Sequence, residues 1–194
     1  MTHAVTTPNP PPVERFLQDV FSESWAAFKA DALLYVLASL LAGVCSVLTL
    51  GILAGPLTVG LLRIVRARRR GQPAEVGAIF EGLSELGAAA GCVLLIALGV
   101  LVGSLLLIVP GLLVAVFLSF SLHELAYRNH GIGAALSNSF NLVKGAFLHT
   151  LLLLIAAGVL CALGGVVMFG TLVTGPFATV LLTVGYEKLS AQTP

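Results

Sequence analysis

Residues 86–123 read LGAAAGCVLLIALGVLVGSLLLIVPGLLVAVFLSFSLH, without one Asp, Glu, Lys or Arg. A helix crossing the hydrocarbon core of a bilayer takes about 20 residues at 1.5 Å each. This run is close to twice that length, so it suits two helices joined as a hairpin. Pro110 and Gly111 fall near its middle. Proline is tolerated in a first helical turn, where its missing N–H would be unpaired anyway. A second helix starting near Pro110 reaches Arg128 after about one membrane thickness.

Two further runs lack these four residue types, 32–62 and 145–186. The last also suits a hairpin, with Gly175-Pro176 inside it. Pro176 leaves too few residues before Lys188 for a full span, so it is expected within the sixth helix, kinking it. The first run is shorter, but Gly51, Gly55, Pro56 and Gly60 interrupt it. As one span it would set Arg15 and Lys29 across the membrane from Arg63, Arg66, Arg68, Arg69 and Arg70. As a hairpin, with spans near 27–48 and 52–69, it brings them together. Three hairpins then put every Lys and Arg, including Arg128, Lys144 and Lys188, on one side, which the positive-inside rule makes cytoplasmic. The expectation is an all-α, polytopic transmembrane helix bundle of six spans in three hairpins, with N- and C-termini cytoplasmic. Composition agrees: 58% of the chain is hydrophobic and 10% charged, against about 25% charged in soluble domains.

The hairpins look like copies of one unit, near 13–71, 72–131 and 132–190, making one transmembrane domain over 13–190. Each opens with a lead-in of helical spacing. The apolar stripes are Val13, Phe16, Leu17, Val20, Phe21, Trp25 and Phe28; then Val76, Ile79, Phe80 and Leu83; then Ile132, Ala135, Leu136, Phe140, Val143 and Phe147. Amphipathic helices of this kind lie flat at an interface or pack beneath a bundle. Residues 1–12, with Pro8, Pro10, Pro11 and Pro12, have neither a basic leader nor an apolar core of a signal peptide and read as an extended tail.

Several functions find no support. Net charge is +1, so no broad basic field suits nucleic acid. Cys45, Cys92 and Cys161 stand alone, with no CxxC spacing, and read as small apolar residues. No catalytic or metal-binding motif and no cofactor signature occurs. The spans carry no ionisable group near their middle, where such groups mark function. His123, Glu124, Tyr127, Arg128, His130 and His149 form a candidate polar cluster at the cytoplasmic interface. The arginines at 63, 66, 68, 69 and 70 are candidate contacts for anionic lipid. Pro56, Pro110, Gly111 and Pro176 mark hairpin and kink positions. Gly87, Gly91, Gly99 and Gly103 place two GxxxG spacings on one helix, the best candidate for close packing or self-association.

Three strings carry a family likeness: SWAAFK at 24–29, LIVPGL at 107–112 and ALSNSFNLVKG at 135–145. In this order and spacing they resemble a broad bacterial family of six-helix integral membrane proteins. It includes the membrane domain attached to some glycerophosphoryl diester phosphodiesterases. The resemblance implies a six-helix bundle in the bacterial inner membrane and no activity, since the phosphodiesterase chemistry belongs to a separate soluble barrel.

The functional expectation is a non-enzymatic membrane component that organises or binds other membrane proteins, or a copy of itself, among membrane lipids. The alternative is a small carrier or exporter of an apolar or amphiphilic solute. A lipid-active enzyme would require His123, Glu124, His130 and His149 to converge.

Overall fold

The computed structural model describes residues 12–128, 131–166 and 170–192, which are helical and contain no strand. The expected tail up to residue 11, with His3, and the cluster member His130 lie outside the described residues. The helices are α1 (Val13–Ala30), α2 (Ala32–Leu48), α3 (Ala54–Arg69), a 3-10 helix (Val76–Glu85), α4 (Leu86–Leu106), α5 (Ile108–Phe117), α6 (Ser121–Arg128), α7 (Ile132–Gly145), α8 (Phe147–Val166) and α9 (Thr171–Gln192). Among the described residues, three stretches are long and apolar enough to cross a membrane: Val76–Leu105, Val109–Arg128 and Phe147–Val166. A fourth is added if α1 and α2 count as one span, but they bend by 87°.

That bend corrects the expected start of the first span. Residues 27–30 finish α1, and the chain turns at Asp31, whose N–H is donated to the Phe28 carbonyl. The stretch Val109–Arg128, the span expected after Pro110, is built of α5 and α6 in succession. Between α5 and α6 the ladder opens, and Ser139 of α7 fills the gap. Its hydroxyl donates to the Phe117 carbonyl at 2.9 Å and accepts from the Phe120 N–H at 3.2 Å. A buried break in a membrane helix needs such a partner, since no water is at hand for the freed groups.

Helix α3 lies at the centre. It packs against α2, α4, α6, α9 and the 3-10 helix. Leu57, Leu61, Ile64 and Val65 join Phe177, Val180, Leu181 and Val184 of α9 and Phe16, Val20 and Phe28 of α1 in one core. Val59 and Leu62, turned the other way, join Ala89 and Cys92 of α4, Leu125 and Ala126 of α6 and Ala135 of α7 in a second. The 3-10 helix is seated on α3 through Ile79 and Gly82, three residues apart and therefore on one face of a three-per-turn helix. This seam has no room for side chains: a Cβ added to Gly60 would overlap the Ile79 carbonyl, and one on Gly82 would overlap the Pro56 carbonyl.

The outer helices show the reverse. Leu94, Leu98, Leu101 and Leu105 of α4, Leu112 of α5 and Ile155, Val159 and Leu163 of α8 are exposed. A helix apolar on all sides yet uncovered by its own chain is suited to lipid. The α4 glycines divide: Gly99 and Gly103 face α5 at Val114 and Gly111, Gly91 faces Ile132 of α7, and nothing lies against Gly87.

Candidate functional site

The ends of α1, α3, α6 and α9 gather at one pole of the bundle, and their charged side chains meet there. Helix α3 delivers the arginines. Its termination is local chemistry: Gly71 takes φ +72°, the Gln72 N–H reaches back to the Ala67 carbonyl and the Gly71 N–H to the Arg68 carbonyl. This is a Schellman cap, which glycine enters without a Cβ penalty. It fixes the last turn, from which the arginines fan out.

Four of the five candidate lipid-contacting arginines have partners within the chain. Arg63 pairs with Glu85 at the end of the 3-10 helix, and Arg68 pairs with Asp31 at the bend. Arg66 stacks over the Tyr127 ring, 4.3 Å from its centroid, and donates to the Tyr127 carbonyl at 2.8 Å. Arg69 is the hub. Its Nε donates to Glu187 of α9 at 2.7 Å and its Nη2 to Glu23 of α1 at 2.6 Å. Lys188 closes the set on Glu23 at 2.9 Å. Arg70 makes no side-chain hydrogen bond or ion pair among the described residues.

Glu124 is 2% exposed and is held by three groups. The Tyr186 hydroxyl donates at 2.8 Å, the Asn138 amide at 3.2 Å, and Arg128 lies one turn on at 3.7 Å. Tyr127 donates to Glu187 at 2.7 Å. The expected cluster therefore splits. Glu124 and Arg128 join Tyr186 and Asn138, whereas Tyr127 belongs to the arginine hub. His123 stacks near Phe120 and Tyr186, with both ring nitrogens buried and unbonded. His149 packs edge-on against Phe16 of α1, centroids 5.1 Å apart. Among the described residues no three His, Cys, Asp or Glu side chains form a group able to hold a metal.

Of the hairpin positions, Pro56 is the third residue of α3 and Pro110 the third of α5, with Gly111 against Gly103 of α4. Pro176 lies inside α9. Sequence reasoning missed Asp31, Ser139 and Tyr186 as site-builders. One signal existed for Tyr186: it precedes Glu187 near the end of its helix much as Tyr127 follows Glu124 near the end of another.

Electrostatics at Glu23 gives a test. Burial opposes its ionisation, but hydrogen bonds from Lys188 and Arg69 outweigh that and hold its carboxyl below 4.5. A carboxyl lowered on folding contributes stability that is present above its unfolded value and lost as pH falls through the lowered one. Melting in detergent is therefore expected to favour wild type over Glu23→Gln at neutral pH. The gap closes as pH drops below 4.5. A gap that stays constant down through this window would rule out the ionised pairing as its source.

Clefts occur both at this pole and away from it. One of 290 Å³ is lined by Glu23, Asp31, Tyr35, Arg68 and Arg69 among others, and an apolar one of 350 Å³ by Leu17, Phe21, Leu153, Ala156, Leu181 and Gln18. Comparison with family models, with curated proteins and with solved structures gives no match.

Proposed function

We propose that this chain is a non-enzymatic integral membrane component that binds and organises other membrane constituents. One observation carries the reading. Apart from Arg70, the α3 arginines at the charged pole are tied to acidic or tyrosine side chains of other elements, and Glu124 and Glu187 to tyrosines, so these groups act as ties between helices. The apolar flanks of α4, α5 and α8 remain turned outward.

The same reading takes the bundle as six spans in three related hairpins. Helices α2 and α3 have 17 and 16 residues, or about 25 Å each at 1.5 Å per residue. That is short of a core of about 30 Å, and the intervening turns and snorkelling arginines make up the rest. Aligning Pro56 with Pro176 without a gap matches Leu57 with Phe177, Gly60 with Val180, Leu61 with Leu181, Ile64 with Val184 and Val65 with Gly185, and every pair is buried. This coincidence supports a repeated unit whose return helix faces inward. The lead-in α1 lies at the cytoplasmic interface, and the arginine pole faces the cytoplasm of a bacterial inner membrane, as the family resemblance implies.

The carrier reading draws on the break between α5 and α6 and on Pro176 inside α9, since discontinuous helices line substrate paths in many carriers. Native mass spectrometry of the gently solubilised chain separates the two. Retention of a second copy or of another membrane protein in fixed stoichiometry is the expected result. A bare monomer that retains a small amphiphile would favour the carrier. Reporters fused at each terminus test topology: both active in the cytoplasm is expected, and an external C-terminus would sink six spans.

A further inference from the structure

Arg70 is the one cation of the arginine cluster that the molecule leaves uncompensated. Its guanidinium has no ion pair or side-chain hydrogen bond among the described residues, and it lies close enough to Arg66 to repel it electrostatically. It also borders a cleft. Arg69, Arg70, Tyr127, Glu187 and Ser190 line a volume of 340 Å³ at the charged pole. The acid in that lining is already occupied, because one Glu187 oxygen accepts from Tyr127 and the other from Arg69. The cleft thus holds one unspent positive charge and no free carboxylate oxygen, and its Ser190 hydroxyl donates to the Glu187 main-chain carbonyl at 3.1 Å.

From this geometry we propose that the cleft binds a phosphate group, with Arg70 as its principal contact and the Ser190 hydroxyl rotating from the Glu187 carbonyl to donate to it. Arginine presents a planar fork of donors that matches phosphate oxygens. The volume admits a phosphate with a small substituent. The Schellman cap at Gly71 holds the backbone of Arg70 in place, which lowers the entropy lost on binding. The five-residue lining separates this from a general basic patch: four arginines of the cluster are committed to partners, so replacing them disturbs the fold, whereas replacing Arg70 removes the ligand contact alone. Two sources supply the chemistry, an anionic phospholipid headgroup and free phosphate. The proposal rests on the membrane reading for the first source and is independent of it for the second.

The test is native mass spectrometry of the full-length chain in detergent, titrated separately with phosphatidylglycerol, phosphatidylcholine and inorganic phosphate. Phosphatidylglycerol is expected to bind wild type in preference to phosphatidylcholine. Arg70→Gln is expected to weaken that binding by about fivefold, the equivalent of one basic residue near an anionic headgroup. Arg70→Lys should retain part of it. Arg15→Gln, an exposed cation on α1 with no part in the cleft, should bind as wild type. Should Arg70→Gln fail to fold, Ser190→Glu places a negative charge in the same cleft and is expected to give the same loss. Arg70-dependent binding of inorganic phosphate without preference for phosphatidylglycerol supports the site with a soluble ligand. Equal binding by wild type, Arg70→Gln and Ser190→Glu to every probe overturns it, as does an equal loss in Arg15→Gln. Neither negative result touches the retention of protein partners, which tests the broader reading.

Discussion

Gly60→Ala and Gly82→Ala are expected to lower the melting temperature in detergent by roughly 5–10 °C each, from an overpacking cost of about 2–3 kcal/mol. The reason is what the new methyl meets. At Gly60 it overlaps the Ile79 carbonyl oxygen, with the Ile79 carbonyl carbon and Cα at 2.7 and 2.9 Å. At Gly82 it overlaps the Pro56 carbonyl oxygen, with the Gly60 nitrogen at 2.7 Å. Every one of these is a backbone atom. A side chain could rotate aside, but a backbone carbonyl moves only if the 3-10 helix lifts off α3. Because α3 joins both cores, that displacement spreads to the packing of α9 and α6. The same substitution elsewhere supplies the control. Gly43 and Gly158 have no heavy atom within 4 Å of a built Cβ. Both lie within helices, where alanine outdoes glycine by about 0.5–1 kcal/mol. Gly43→Ala and Gly158→Ala are therefore expected to leave the melting temperature unchanged or raise it. Four equal shifts would show that the seam is no tighter than the lipid-facing surface.

The absence of charge was legible in the sequence, and the helical class followed from it. Which face of each helix turns inward was not. In α1 the apolar stripe includes Phe21 and Trp25, yet they are 48% and 46% exposed, while Ser24 is fully buried. In α7 the stripe includes Phe140, which is exposed, and omits Ser139, which is fully buried and bridges the broken span. The cause is the solvent. Water makes the apolar face the buried face, but lipid is as apolar as leucine, so burial there falls to small residues and to polar ones with a partner. Gly60 and Gly82 follow the same rule; Gly60 was legible only as an interruption of its run, and their shared seam was not legible because they sit on different elements, outside any GxxxG spacing. The arginines were legible as a cluster at the end of one helix. Their partners were not, because Arg69 meets Glu23 and Glu187 across separations of 46 and 118 residues. Such pairings depend on the assembled bundle. Pro56, Pro110 and Pro176 were legible individually, since each restricts its own backbone.

Arg69→Met is expected to loosen α1 from the bundle and to lower stability by about 2–3 kcal/mol. Breaking a fully buried ion pair from one side costs about 3–5 kcal/mol, because the remaining charge is stranded. Here the arginine is well covered, with 13% of its side chain exposed, but Glu187 and Glu23 are 26% and 41% exposed and water recovers part of the loss. Lys188 still holds Glu23 and Tyr127 still holds Glu187, which limits the effect further. Methionine keeps the length and apolar stem of the arginine, so packing is disturbed least. Arg70→Met, one residue on and without a partner, is expected to change stability by less than about 0.5 kcal/mol. That contrast separates the hub from a general preference for positive charge at this pole. The double variant Arg69→Met, Glu187→Gln is expected to recover part of the loss, since the stranded carboxylate is gone, and the two changes should not add. Hydrogen exchange locates the damage: amides in 13–30 are expected to exchange faster in Arg69→Met, while those of α4 and α8 keep wild-type rates. Equal destabilisation by Arg69→Met and Arg70→Met, or strict additivity in the double variant, would mean that α1 is held by its aromatic contacts with Phe177 and not by the arginine that spans Glu23 and Glu187.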